Sequence, residues 1–131
     1  MILLFILLLS CNGVYNSTND VIYIARTEPI RPYKQLIYGI GMVEGELDTL
    51  AYNRLEQATG YFQIRPIRLN DYNKRTGKHY KMKDLYDYNI SEEIFLYYAT
   101  CIGFDLETIA KNWNGSGPKT ITYWKKVKQY L

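Results

Sequence analysis

Hydrophobic and polar positions alternate along this chain with two periods of helix, a long apolar start and several polar joins. Leu36, Ile37, Ile40 and Val43 recur at three- and four-residue spacing through "YKQLIYGIGMVEG", which predicts a helix stopped by Gly45. Residues 46–59 lose that period and read as a loop. Pro66 suits the first position of a helix running to Gly77, with Ile67 and Leu69 as its early apolar residues. The stretch "KHYKMKDLYDYN" is irregular, with one helical turn. Ser91 is positioned to cap "EEIFLYYATCI", whose Ile94, Tyr98, Cys101 and Ile102 share a face, and Gly103 ends it. Asp105 can cap "LETIAKNW". Thr120 can cap "ITYWKKVKQYL", with Ile121, Trp124, Val127 or Lys128, and Leu131 as its inner stripe. The predicted fold class is mainly α, a small domain of about five helices over residues 32–131.

The polar residues around these elements divide the rest of the chain. "MILLFILLLSC" is an apolar run too short to span a bilayer, for which about 20 residues are needed. It has the length of a secretory signal core, and Leu8-Leu9-Ser10-Cys11 matches a lipobox, which makes Cys11 the expected lipidation site and residues 1–11 a signal segment. The alternative is an uncleaved hydrophobic anchor. Either way the expected localisation is exported: periplasmic, an outer-membrane lipoprotein, or phage-encoded and acting on the cell wall. Residues 12–31 read as a tether, with "VIYIA" as a short strand lacking a neighbour to pair with. Cys101, in "YYATCIGF", is expected as a buried small hydrophobe without a disulfide.

Composition narrows the chemistry. A net charge of +3 over 131 residues makes no basic stripe, so nucleic acid is not an expected partner. Fourteen Tyr supply flat apolar faces with polar tips, which suit sugars, peptides or interfaces. His79 is the sole His and has no Cys or carboxylate at ligand spacing, so it reads as a surface residue, and no metal and no cofactor are expected. Carboxylate chemistry or pure binding remains. Glu44 closes an apolar helix beside Gly45; it is either an exposed surface charge or a desolvated carboxyl held protonated as a general acid. Glu46 and Glu56 are the next carboxylates in line. The join "EQATGYFQIRP" sets Tyr61, Phe62 and Ile64 around one amide, Gln63, and is either a buried aromatic turn or the wall of a cleft.

The order "MVEG", "AYN", "GYFQIRP", "IAKNWNG" and "TITYWKKV" resembles the soluble lytic transglycosylases and goose-type lysozymes, especially their short exported Bacteroidota and phage members. The resemblance covers roughly residues 33–131 and implies a small lysozyme-like helical domain. It implies that Glu44 is the catalytic acid, that Tyr61 and Phe62 wall the cleft and stack on sugar rings while the Gln63 amide beside them reads an N-acetyl group, and that Trp113 and Asn114 face the cleft. It also implies that Tyr52 and Asn53 bind substrate and that the Tyr123 hydroxyl reaches the catalytic carboxyl. Two positions depart from the family pattern: Gly45 stands where a Ser follows the Glu, and Trp113 stands where a Tyr lines the cleft. The implied activity is cleavage of the β-1,4 bond between N-acetylmuramic acid and N-acetylglucosamine by one acid/base Glu, as a lytic transglycosylase. The implied partner is the glycan strand of peptidoglycan, met by a monomer that touches membrane only through its N-terminal lipid or anchor. The other reading, favoured by Gly45, is a non-catalytic, surface-tethered glycan-binding or assembly protein.

Overall fold

The computed structural model describes residues 31–131. Cys11, the apolar run, "VIYIA" and all of the tether but Arg31 lie outside the described residues. The described part is mainly α: five α-helices, two short 3-10 helices and one small hairpin. No helix among the described residues is long and apolar enough to cross a membrane.

Helix α1, Lys34–Gly45, buries Leu36 and Ile40 as the periodicity predicts, while Ile37 and Val43 are only partly covered. Its remaining inward positions are glycines, and close approach explains them. A Cβ on Gly41 would sit 2.2 Å from the Tyr61 ring, and one on Gly39 would meet the backbone of Val127 at 3.1 Å. After Gly45 the chain turns sharply, with Glu46 and Leu47 in the left-handed region at φ 52° and 67°. That turn leaves Glu44 on the last helical turn.

The segment expected as a loop holds a hairpin. Strands β1 (Tyr52–Asn53) and β2 (Ala58–Thr59) pair antiparallel, Tyr52 opposite Thr59 and Asn53 opposite Ala58. Two-residue strands are too short to show a period of two, so the pattern hides them. Thr59 then bridges to Ile64 and closes the turn "GYFQ". Gly60 there has φ 78°, and a Cβ would lie 2.1 Å from the Leu85 carbonyl oxygen, so only glycine fits.

Helix α2 spans Pro66–Thr76 and ends on Gly77 in the left-handed conformation, as its sequence signals require. A 3-10 turn, Met82–Tyr86, leads into α3, Tyr88–Ile102. The cap of α3 is not Ser91 but Asp87, whose carboxylate accepts the Asn89 N–H at 2.8 Å. Ser91 is instead buried inside the helix and donates to the Leu85 carbonyl at 2.6 Å. This moves the inner face of α3 to Ser91, Ile94, Phe95 and Ala99, and leaves Cys101 as an exposed free thiol rather than a buried one. Helix α4, Leu106–Asn114, starts after Asp105, which accepts a hydrogen bond from the Thr108 hydroxyl. Helix α5, Lys119–Val127, begins before Thr120, so Thr120 does not cap it; its hydroxyl donates to the Gly117 carbonyl at 2.8 Å. The buried face of α5 is Thr120, Tyr123 and Val127 rather than the expected Ile121, Trp124 and Leu131, and Ile121 is 51% exposed. A last 3-10 turn, Lys128–Tyr130, packs back on α1.

The core centres on Phe62 and Phe95, stacked at 4.9 Å and 7°, with Trp113 edge-on to both. Fully burying side chains of this size contributes about 1.5–3 kcal/mol each. The core thus fastens the "GYFQ" turn to α3 and α4 and fixes what borders α1.

Candidate active site

A cleft of about 330 Å³ opens between the end of α1, the hairpin, the start of α2 and the loop between α4 and α5. Glu44, Asn53, Gln63, Trp113 and Asn114 line it, together with Glu56, Arg65, Arg68, Ser116 and Lys119. Six of the residues singled out in the sequence, Glu56 among them, therefore meet around one space, although they come from four separate segments.

Glu44 is half-buried, and the Tyr123 hydroxyl donates to its Oε1 at 2.7 Å across 79 residues of chain. Burial is the largest influence on this carboxyl and pushes its pKa above the usual carboxylate range. The Tyr123 hydrogen bond and the positive charges of Arg65 and Arg68 pull it back, while Glu56 pushes it up, and the net direction is upward. The Tyr123 hydroxyl is itself raised, first by burial and then by the neighbouring carboxylate, so it stays a neutral donor. The pair is a carboxyl biased toward its protonated form, held in one orientation and open to a polar cleft.

The turn "GYFQ" answers differently from its sequence expectation. Phe62 is wholly buried and Tyr61 nearly so, packed on Phe95, Tyr88 and Gly41, so neither ring lines the cleft. The reason is the direction of the turn: Gly60 folds it against the 3-10 segment, and its aromatic side faces the core. Gln63 does line the cleft, but its Nε2 donates to the carbonyls of Gly60 at 3.0 Å and Ala51 at 3.2 Å. Its amide nitrogen therefore ties the hairpin to the turn, leaving the amide oxygen for a ligand. Tyr52 is 54% exposed on β1 and does not border the cleft, whereas its neighbour Asn53 does. Asn53 also uses its Oδ1 to accept the N–H groups of Leu55 and Glu56, bracing the hairpin tip.

Trp113 is nearly buried, with its Nε1 donating to the Phe62 carbonyl at 3.2 Å. One face of its ring is covered by the Arg68 guanidinium at 4.1 Å. It supports the wall more than it offers a free platform. No family model matches the chain, and neither a curated protein nor a solved structure does.

Sequence reading followed the aromatics and passed over Arg65, Arg68 and Lys119. The signal is faint: Arg65 directly precedes the helix that Pro66 opens and Arg68 lies in its first turn, so both stand at its N-terminal end. A second cavity, about 550 Å³, lies across Arg68 and Trp113, bordered by Ile67, Tyr98, Ile102 and Ile109. It is larger but mainly apolar, and its one carboxylate, Asp71, is lowered in pKa, chiefly by Arg75 and then by Tyr98. Of the two, it is the smaller cleft that holds a carboxyl with a raised pKa.

Proposed function

We propose that the protein cleaves the β-1,4 bond between N-acetylmuramic acid and N-acetylglucosamine in peptidoglycan, as a lytic transglycosylase. The observation that carries the reading is the Glu44–Tyr123 pair: a carboxyl with raised pKa, oriented at 2.7 Å and opening into a polar cleft. The resemblance of the motif order to lytic transglycosylases and goose-type lysozymes supports it from the sequence side.

In this mechanism Glu44 gives its proton to the glycosidic oxygen as the bond to the muramic acid C1 breaks. The departing sugar leaves as a neutral alcohol. The positive charge at C1 is met by the oxygen of the substrate's own 2-acetamido group, which forms a cyclic oxazolinium and stands in for a second carboxylate. Glu44, now ionised, takes the proton of the C6 hydroxyl while its oxygen attacks C1, expelling the acetamido oxygen and closing a 1,6-anhydro ring. The Tyr123 hydroxyl holds the carboxyl in line for both transfers, and the Gln63 amide oxygen is placed to accept an N–H of the substrate.

A second reading keeps the binding and omits the turnover: a glycan-binding protein of the same architecture. The burial of Tyr61 and Phe62 favours it, because it removes two of the aromatic faces that would stack on sugar rings. Incubation with purified sacculi, followed by mass analysis of released muropeptides, separates the two. Anhydro-muropeptides from wild type and none from Glu44→Gln are the expected result. Reducing ends in their place would make the enzyme a hydrolase, and no release from either protein would leave the binding reading standing.

A further inference from the structure

Arg65, Arg68 and Lys119 face the same cleft as Glu44 and Glu56, and three cations against two carboxylates leave a net positive lining. Arg68 is the informative member. It is half-buried, lying over the Trp113 ring at 4.1 Å and the Tyr98 ring at 5.2 Å. One terminal nitrogen donates to the carbonyls of Trp113 at 3.0 Å and Asn112 at 3.4 Å. Among the described residues no carboxylate pairs with it. Asp71 stands one turn along the same helix, but Arg75 at 2.8 Å and Tyr98 at 2.7 Å already occupy it. Arg65 reaches Glu56 only at 4.0 Å, with both side chains well exposed, and Lys119 has no ion pair among the described residues.

A cation withdrawn from water without a counter-ion is costly, and the cost is recovered when an anion arrives. The desolvation shows in the Arg68 guanidinium, whose pKa burial lowers. Neutral sugar rings have no need of three cations, whereas a carboxylate does, and a guanidinium offers it a fork of N–H donors.

We propose that Arg68, with Arg65 and Lys119, forms an anion subsite beside Glu44 that takes a carboxylate carried by the muramic acid unit. This deepens the reading of the cleft as a glycan-cleaving site and rests on it. Two carboxylates share that chemistry. One is the lactyl carboxylate, free only where the stem peptide is missing; the other belongs to the stem peptide itself.

The test uses three forms of glycan strand: peptide-free, peptide-free with the lactyl carboxylates converted to amides, and peptide-bearing. For wild type, amidation is expected to raise KM about 10- to 100-fold with little change in kcat, the scale of a charge-assisted hydrogen bond. Arg65→Gln, an exposed position that does not endanger the fold, is expected to remove much of that difference. Arg68→Lys, which keeps the charge but not the fork, is expected to remove part of it. Peptide-bearing strands that behave like the amidated ones identify the lactyl carboxylate, and peptide-bearing strands with a KM as low as that of the peptide-free ones, or lower, identify the stem peptide. Equal KM for all three forms overturns the subsite while leaving the cleavage reading intact. Binding of the same strands to Glu44→Gln separates the converse. Carboxylate-dependent binding with no cleavage by wild type would keep the subsite and sink the enzyme, and no binding together with no cleavage overturns both.

Discussion

Two of the Glu–Tyr pairs among the described residues use the same residue types and reach opposite ends. Glu44 accepts from Tyr123 at the cleft, and Glu93 accepts from Tyr72 and, at 3.0 Å, from Tyr80 on the outer side of α3. Glu44 has one donor and much burial, so its pKa rises. Glu93 is lowered, first by the Tyr72 hydrogen bond, with burial opposing, and then by Tyr80 and by Lys78 at 3.3 Å. One carboxyl is shifted toward keeping its proton, and the other toward keeping its charge beside the helix it braces. The difference lies in how many donors surround the carboxylate and how much water it keeps, not in the Glu or the Tyr.

The strongest way to break this contrast is to remove each carboxylate's acidity in turn. Glu44→Gln is expected to lower glycan cleavage about 10²- to 10⁴-fold, the usual worth of general acid catalysis. Glu93→Gln should leave the rate on sacculi unchanged. A Glu44→Gln protein with most of its activity would move the acid to Glu56, which also borders the cleft, and end the contrast.

Stability sharpens it with opposite signs of pH dependence. A carboxyl whose folded pKa is raised contributes stability that is present below its unfolded pKa and lost as pH rises through the folded value. Glu44→Gln should therefore melt higher than wild type at neutral pH and no higher in acid. Glu93 has a lowered folded pKa, so its contribution is present above the unfolded value and lost as pH falls through the folded one. Glu93→Gln is expected to cost about 1 kcal/mol near neutral pH, since the side chain is 42% exposed, and less in acid. Thermal melts across pH measure both, and matching pH trends for the two variants would contradict the assignment.

The hairpin that borders the first pair can be tested alongside. Gln63→Ala strips donors from the Ala51 and Gly60 carbonyls and is expected to cost up to about 1 kcal/mol in chemical denaturation, because water can reach the cleft side. No change in stability would mean that the amide nitrogen is free for ligand. The smallest effect expected is from Tyr123→Phe. It deletes the one side-chain hydrogen bond that lowers Glu44, so the alkaline limb of the pH–rate profile should move to higher pH. A shift toward lower pH would show that the phenol does not act on the carboxyl.

How much of this was legible in the sequence varied with the range of the interaction. Helices α1, α2 and α4 follow from apolar spacing and from local signals at Pro66, Gly77 and Asp105. The start of α3 was misplaced because two capping residues, Asp87 and Ser91, stand four apart, and only packing on Leu85 shows that Ser91 lies inside. On α5, a buried Tyr123 with a partner on α1 outweighs the more apolar Ile121 and Trp124, a choice made 79 residues away. Glu44 was legible as a carboxyl ending an apolar helix. Its cationic neighbours were not, because charges at a helix start read as surface charges until a fold places an opposite wall. Tyr61 and Phe62 were assigned to the wrong side of their turn, since residue type gives amphipathic character but not direction.

The wall shared by the two cavities has an optical consequence. Trp113 lies beneath a guanidinium at 4.1 Å and borders both spaces, and the other Trp, Trp124, sits half-buried on α5. A ligand that draws Arg68 toward itself, from either side, changes the charge above the indole and so the colour and yield of its emission. In a Trp124→Phe background Trp113 becomes the only indole in the chain, an intrinsic probe whose fluorescence follows occupancy without any added label.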